Sequence, residues 1–272
     1  MSNRLISKFV HENVLVLTSE NRNCFEQLAD FANRCSTDGA DVMSVAEENG
    51  QRIIKASDYA GFVQLSDRTQ IEILPYNEDG INVARTMLFR RLCSISGIQY
   101  TENDVSGEYG FMECFISVFA RECMKIIKSG LLCGYSSVEE NLTMVQGNIL
   151  FAENSRRNLV HKERVYVRHD VFTPDRSENR LIKAAAKLMM KLSASPQNTL
   201  NLRKILSCLD EVALPVNYKL EFANCINTRN TKKYSTVLGM CRMFLDGGSN
   251  IVYTGRNIGY AIFFKADDID KD

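Results

Sequence analysis

The chain has 272 residues, 45% of them hydrophobic and 24% charged, with 33 basic and 33 acidic side chains and a formal net charge of zero. That length accommodates one large domain or two smaller ones, and that apolar content supports a substantial core. Balanced charge argues against a protein that coats nucleic acid along its whole surface, while leaving room for a local basic patch. Nine cysteines (Cys24, Cys35, Cys93, Cys114, Cys123, Cys133, Cys208, Cys225 and Cys241) form no CxxC pair, and several sit in apolar helical patterns where a thiol packs as a small hydrophobe. Reduced, buried thiols and a cytoplasmic location are expected, since neither the start, MSNRLISKFVHENVLV, nor any later run has the length of a membrane span.

In chain order, Asn13–Leu17 and Gln51–Lys55 are short β-prone runs. Between them Phe25, Leu28, Ala29, Phe31 and Ala32 recur at helical spacing. From Gly61 to Pro75 the pattern predicts a hairpin: Phe62, Val63 and Leu65 precede a polar turn, and Ile71 and Ile73 alternate with Gln70 and Glu72 after it. Residues 81–96 switch to a helical period that Gly97 would cap. A second helix is predicted from Phe111 to Lys128, with Phe111, Phe115, Phe119, Cys123 and Ile127 inward and Glu113, Ser117 and Arg121 toward solvent. β-prone runs return at 131–135, 142–151 and 165–171. Thr173 and Pro174 then suit the N-cap and first position of a long helix buried through Leu181, Ala184, Leu188 and Leu192. Helices near 200–210 and 230–245 and strands at 251–253 and 260–264 complete the pattern. The fold class expected is α+β: a small β-rich domain over 1–80, barrel-like or hairpin-based, followed by a mixed helical and β-hairpin domain over 81–272.

Complete catalytic sets are absent from this pattern. There is no GxxxxGK[ST] loop to cradle a nucleotide, His11, His161 and His169 lack metal-pair spacing, and no nucleophile motif accompanies them. Pro174-Asp175 supplies the letters "PD", but no (D/E)xK triplet follows at a workable distance, and Asp175 reads as part of a helix start. The acidic end, Asp267, Asp268, Asp270 and Asp272, reads as a solvated terminus. Two basic stretches remain. Arg156, Arg157, His161, Lys162, Arg164 and Arg168 surround a single acid, Glu163, and fall on the tip and second strand of a hairpin over 142–170. Arg176, Arg180, Lys183, Lys187 and Lys191 share one helix face. Each is either a solvated face or a surface for phosphate or an acidic partner.

Five ordered segments resemble the McrC family, the partner subunits of McrBC-type restriction systems. They are Gly61–Pro75 (GFVQLSDRTQIEILP), Ala84–Leu88 (ARTML), Ile126–Tyr135 (IIKSGLLCGY), Leu142–Phe151 (LTMVQGNILF) and His169–Lys183 (HDVFTPDRSENRLIK). The last two are the most specific. Tyr76 and Gln146 stand where the family often has a basic residue. The resemblance implies a subunit that docks on a ring of AAA+ GTPase subunits, McrB, and stimulates their GTP hydrolysis. GTP and Mg²⁺ would sit on the partner and no cofactor in this chain. The family's PD-(D/E)xK nuclease domain would be absent, residing on a part or polypeptide beyond this one. Within the resemblance, Arg156, Arg157, His161, Lys162, Arg164 and Arg168 are the expected partner-binding residues, and DNA is met through the complex. The alternative is a DNA-binding module that uses the stripes at 156–168 and 176–191. In the strand pattern Gly147 is expected to mark an irregular backbone or a close neighbour.

Overall fold

The computed structural model describes residues 5–18, 20–37, 41–65, 69–96, 110–225, 231–245, 251–253 and 258–269. Gly97 as a cap, the turn at 66–68, and Asp270 and Asp272 lie outside them. Two short strands, β1 (Leu5–Phe9) and β2 (Asn13–Val16), lead into helix α1 (Arg22–Thr37). Strands β3 (Met43–Glu48) and β4 (Gln51–Ala56) turn on Asn49 and Gly50, both at positive φ (52° and 77°). That is the Asn-Gly signature of a tight hairpin, whose twist matches that of the flanking strands. β5 (Tyr59–Leu65) and β6 (Gln70–Leu74) pair antiparallel as the sequence pattern requires, with Gly61 opposite Ile73 and Val63 opposite Ile71.

The expected alternation of burial in β6 is not found: all five residues are buried. Glu72 is accommodated by an internal ion pair with Arg85, 2.9 Å away, by the Ser7 hydroxyl at 3.0 Å and by the backbone N–H of Phe111. Arg85 lies on helix α2 (Ile81–Ser96), and Phe111 begins helix α3 (Phe111–Lys128), so one carboxylate ties a strand to two helices. α3 is buried on nearly every side, through Phe115, Ile116, Val118 and Phe119 among others. Glu113, expected in solvent, is also buried. It accepts from the Ser193 hydroxyl (2.9 Å), the Ser195 N–H (3.1 Å), the Asn198 amide (2.7 Å) and the Ala194 N–H.

Beyond α3 the chain forms a hairpin of two long strands, β7 (Gly134–Leu142) and β9 (Val165–Thr173), with a short strand β8 (Asn148–Ile149) and helix α4 (Phe151–Arg157) inserted between them. Helices α5 (Ser177–Leu192), α6 (Pro196–Cys208), α7 (Tyr218–Asn224) and α8 (Ser235–Leu245) follow, then strands β10 (Ile251–Tyr253) and β11 (Ile258–Lys265). α5 begins three residues later than Thr173-Pro174 suggested. The Thr173 hydroxyl instead accepts the Asp175 N–H at 3.1 Å, closing a local turn before the helix.

β11 returns to the first sheet, whose order is β1-β6-β5-β11-β10, with β1 parallel to β6. Residues from both sides of position 80 therefore build one sheet. Gly61 permits this pairing: a Cβ there would stand 2.1 Å from the Ile262 carbonyl oxygen. A second sheet, β2-β4-β3, packs on α1, and one apolar cluster runs from Phe25 and Phe62 through Phe115 and Leu181 to Met240 and Phe263. The architecture is α+β. Among the described residues no helix is long and apolar enough to cross a membrane.

Candidate partner-docking arm

The segment from Gly134 to Thr173 is an arm with its own order. β7 and β9 pair over their full nine residues, from Gly134 opposite Thr173 to Leu142 opposite Val165. β8 adds to the other edge of β9, giving the order β7-β9-β8. The elements of the arm pack chiefly on one another. Its buried residues are few: Tyr166, Val167, His169 and Asn158. Gly147 sits at φ +73°, and a Cβ there would meet the Arg168 carbonyl oxygen at 2.4 Å, so both an irregular backbone and a close neighbour occur where expected.

Amides hold the far end together. Asn141 and Asn158 exchange reciprocal side-chain hydrogen bonds at 2.8 Å, Asn158 also donates to Asn154 at 2.7 Å, and Asn154 accepts the Tyr166 N–H at 2.8 Å. These satisfied amides fix the return of the chain from α4 to β9 without a large apolar core. No residue of α4 is buried. Near it Met144, Val145, Phe151, Leu159 and Val160 are exposed, Val160 to 83%. Five large apolar side chains in solvent within this segment make it a candidate contact surface.

The six cations expected here divide by what they already touch. Arg168 donates to Glu139 through Nε at 2.9 Å across the strand pair. Arg157 lies over the Tyr166 ring, 4.5 Å from its centroid. His161 contacts Glu163 at 3.0 Å, and the Glu163 carboxyl is held below its usual range by its own backbone N–H and then by that imidazole. Arg156, Lys162 and Arg164 are exposed and make no side-chain hydrogen bond or ion pair with the described residues. The stripe on α5 is different. Arg180 donates to both Asp175 oxygens (2.8 and 2.7 Å) and to Glu221 (3.1 Å). Lys183 donates to the Asp210 and Val212 carbonyls. Arg176 lies 3.5 Å from buried Glu178, which leaves Lys187 and Lys191 as the exposed members of the stripe.

At the arm's root lies an open cleft of about 520 Å³, lined by residues of the α3–β7 turn, Phe172 and Lys233. Beside it Tyr135 and Phe172, both exposed, pair at 5.2 Å. The sequence reading missed this aromatic pair, the asparagine network and the apolar end of the arm. Register across β7 and β9 places Tyr135 opposite Phe172, and the packing of α4 on β9 brings Asn154 and Asn158 to Asn141; neither is written in local spacing.

Among the described residues no group of three or more His, Cys, Asp or Glu is placed to hold a metal. The chain is thus an α+β body bearing a mixed apolar and basic arm. A family model described as McrBC 5-methylcytosine restriction system component matches residues 54–269. The chain belongs to this family, and the resemblance to McrC read from the ordered segments is borne out. No curated protein sequence matches it. A chain of the "Cryo-EM structure of the Thermococcus gammatolerans McrBC complex" superposes with a TM-score of 0.71 at 16% identity, over 98% of this chain and 84% of that one. A chain of the "Refined half-complex from tetradecameric assembly of Thermococcus gammatolerans McrB AAA+ hexamers with bound McrC" gives 0.72 at 15% identity, over 97% and 67%. At these identities the likeness is one of fold.

Proposed function

We propose that this chain is an McrC-like regulatory subunit that docks through its arm on a hexameric ring of AAA+ GTPase subunits and stimulates their GTP hydrolysis in a DNA restriction complex. The observation that carries the reading is the composition of the arm: exposed Met144, Phe151, Leu159 and Val160 beside the uncommitted cations Arg156, Lys162 and Arg164. The apolar residues lose their contact with water on docking, which favours association. The arginines carry a permanent, planar charge suited to phosphate or to a partner side chain that orients the attacking water. A ring as the partner is supported by the neighbour described as McrB hexamers with bound McrC.

On this reading GTP and Mg²⁺ belong to the ring, and the chain acts as a regulator rather than as an enzyme. DNA cleavage falls to a nuclease on another part or polypeptide, and the complex works in the cytoplasm, where the nine thiols stay reduced. Direct DNA binding through the α5 stripe has no observation of its own in its favour, because Arg180 and Lys183 are already engaged.

The test is GTP turnover by the purified partner ring, titrated with this chain. Turnover should rise and saturate with added chain. Absence of both binding and any change in turnover would contradict the proposal.

A further inference from the structure

We propose that Asn179 and Tyr234 clamp the root of the arm and set the direction in which it is presented, making both positioning residues for the stimulation described above. The inference rests on the arm being the element that the ring senses.

The chain enters the arm just after Leu132 and leaves it at Pro174. The Asn179 amide nitrogen donates to the Leu132 carbonyl at 2.9 Å and to the Pro174 carbonyl at 2.7 Å, so one side chain spans both roots. The Tyr234 hydroxyl donates to the Asn179 amide oxygen at 3.0 Å and accepts the Leu132 N–H at 2.8 Å. Both residues are fully buried, at 0% exposure. The partners decide the amide's orientation, since its nitrogen faces two carbonyls and its oxygen faces a phenol. Burial pushes the Tyr234 phenol up to about 12, so it keeps the proton that it donates. Arg176 lies against the same root: a Cβ on Gly134 would stand 2.6 Å from its guanidinium.

Apolar side chains of similar volume would pack this root but leave the Leu132 N–H and the Leu132 and Pro174 carbonyls without these partners. A fully satisfied buried network also fixes geometry. Geometry matters here because of leverage. Each long strand of the arm has nine residues. At a rise of about 3.3 Å per residue they reach roughly 30 Å, so a rotation of about 10° at the root moves the far end by about 5 Å. A displacement far smaller than that is enough to misplace a group that acts on a reacting centre.

The test uses the full chain with the partner ring. Asn179→Asp keeps the size and the oxygen that accepts from Tyr234 but removes both donors to the roots, and Tyr234→Phe removes the hydroxyl. Spin labels go on encoded azide side chains at the exposed positions Ser155 and Arg203, which leaves the nine native cysteines untouched. In variants that circular dichroism shows to be folded at the assay temperature, the arm-to-body distance distribution should widen or shift. Saturating stimulation of GTP turnover should fall about tenfold, with a smaller change in the half-saturating concentration. A wild-type distance distribution in a folded variant overturns the clamp. Should Asn179→Asp fail to fold, Tyr234→Phe decides by the same readout. If replacing the arm's arginines leaves stimulation intact, the reading of the arm falls, while the distance distribution still decides whether the root is clamped.

Discussion

The arm and the first turns of α5 look alike as sequence, each a dense run of cations, yet the fold uses them in opposite ways. On α5, Arg180 is held by Asp175 and Glu221, and Lys183 by two carbonyls from the turn after α6. On the arm, Arg156, Lys162 and Arg164 stand in solvent beside exposed Phe151, Leu159 and Val160. Charge density along a chain therefore says little about charge available to a partner. What decides is whether the fold brings an acid or a carbonyl into reach. The apolar residues divide in the same way: those of α3 are core, and those around α4 are surface.

The widest contrast should appear in stability. Phe119, fully buried on α3, should cost about 3–5 kcal/mol when replaced by Ala in denaturant unfolding, through lost burial and the cavity left behind. Leu159→Ala on the arm should stay within about 0.5 kcal/mol, because the residue is already 76% exposed. Equal costs at the two positions would erase the distinction between body and arm.

The cations give a narrower contrast. Arg180→Ala removes three charge-assisted hydrogen bonds and leaves Glu221, which is 7% exposed, without its cation. A loss of about 1–3 kcal/mol is expected, against roughly 0.5 kcal/mol or less for Arg164→Ala. An Arg180→Ala variant as stable as Arg164→Ala would show that the α5 stripe is free after all.

The smallest effect is in acid. The Arg180 hydrogen bond, with the Ala213 N–H in support, holds the Asp175 carboxyl below its usual range. A carboxylate depressed in the folded state contributes stability that is present above its ordinary value and lost as pH falls through the folded one. The start of α5 should therefore loosen below about pH 4. Protection of the Ala213 amide, which donates to Asp175, should fall there in the wild type relative to the intrinsic exchange rate at the same pH, and Asp175→Asn should show the lower protection already at neutral pH. No difference between the two at neutral pH would remove Asp175 from the account.

Much of the body was legible from periodicity. The Gly61–Pro75 hairpin and the long helices followed from apolar spacing, but the arm only in part: the pattern predicts a hairpin over 142–170, whereas the strand paired with β9 is Gly134–Leu142 and residues 151–157 form helix α4. The misses have physical causes. Glu113 resembles any solvent-facing acid in a helical pattern. It is buried because the backbone at Ala194 and Ser195 supplies donors from residues more than 80 positions away. β11 reads as a strand, but nothing local names β5 as its partner, and Gly61, the glycine that permits the pairing, shows in sequence only a place in a hairpin. The Asn49-Gly50 turn was the one missed feature with a strong local signal. Within the candidate site the cations could be found by counting. The engagement of Arg168 by Glu139 required the register of β7 on β9, and that of Arg157 by Tyr166 the packing of α4 on β9.

Because Arg157 also packs on Tyr166, the cleanest probe of the arm replaces Arg156 and Arg164 together by Ala and leaves that contact in place. The decisive measurement is GTP turnover by the partner ring at saturating amounts of this chain, with melting recorded alongside. The double variant is expected to fold with unchanged stability and to lose most of the stimulation. Wild-type stimulation by the double variant would contradict the claim that these arginines carry it.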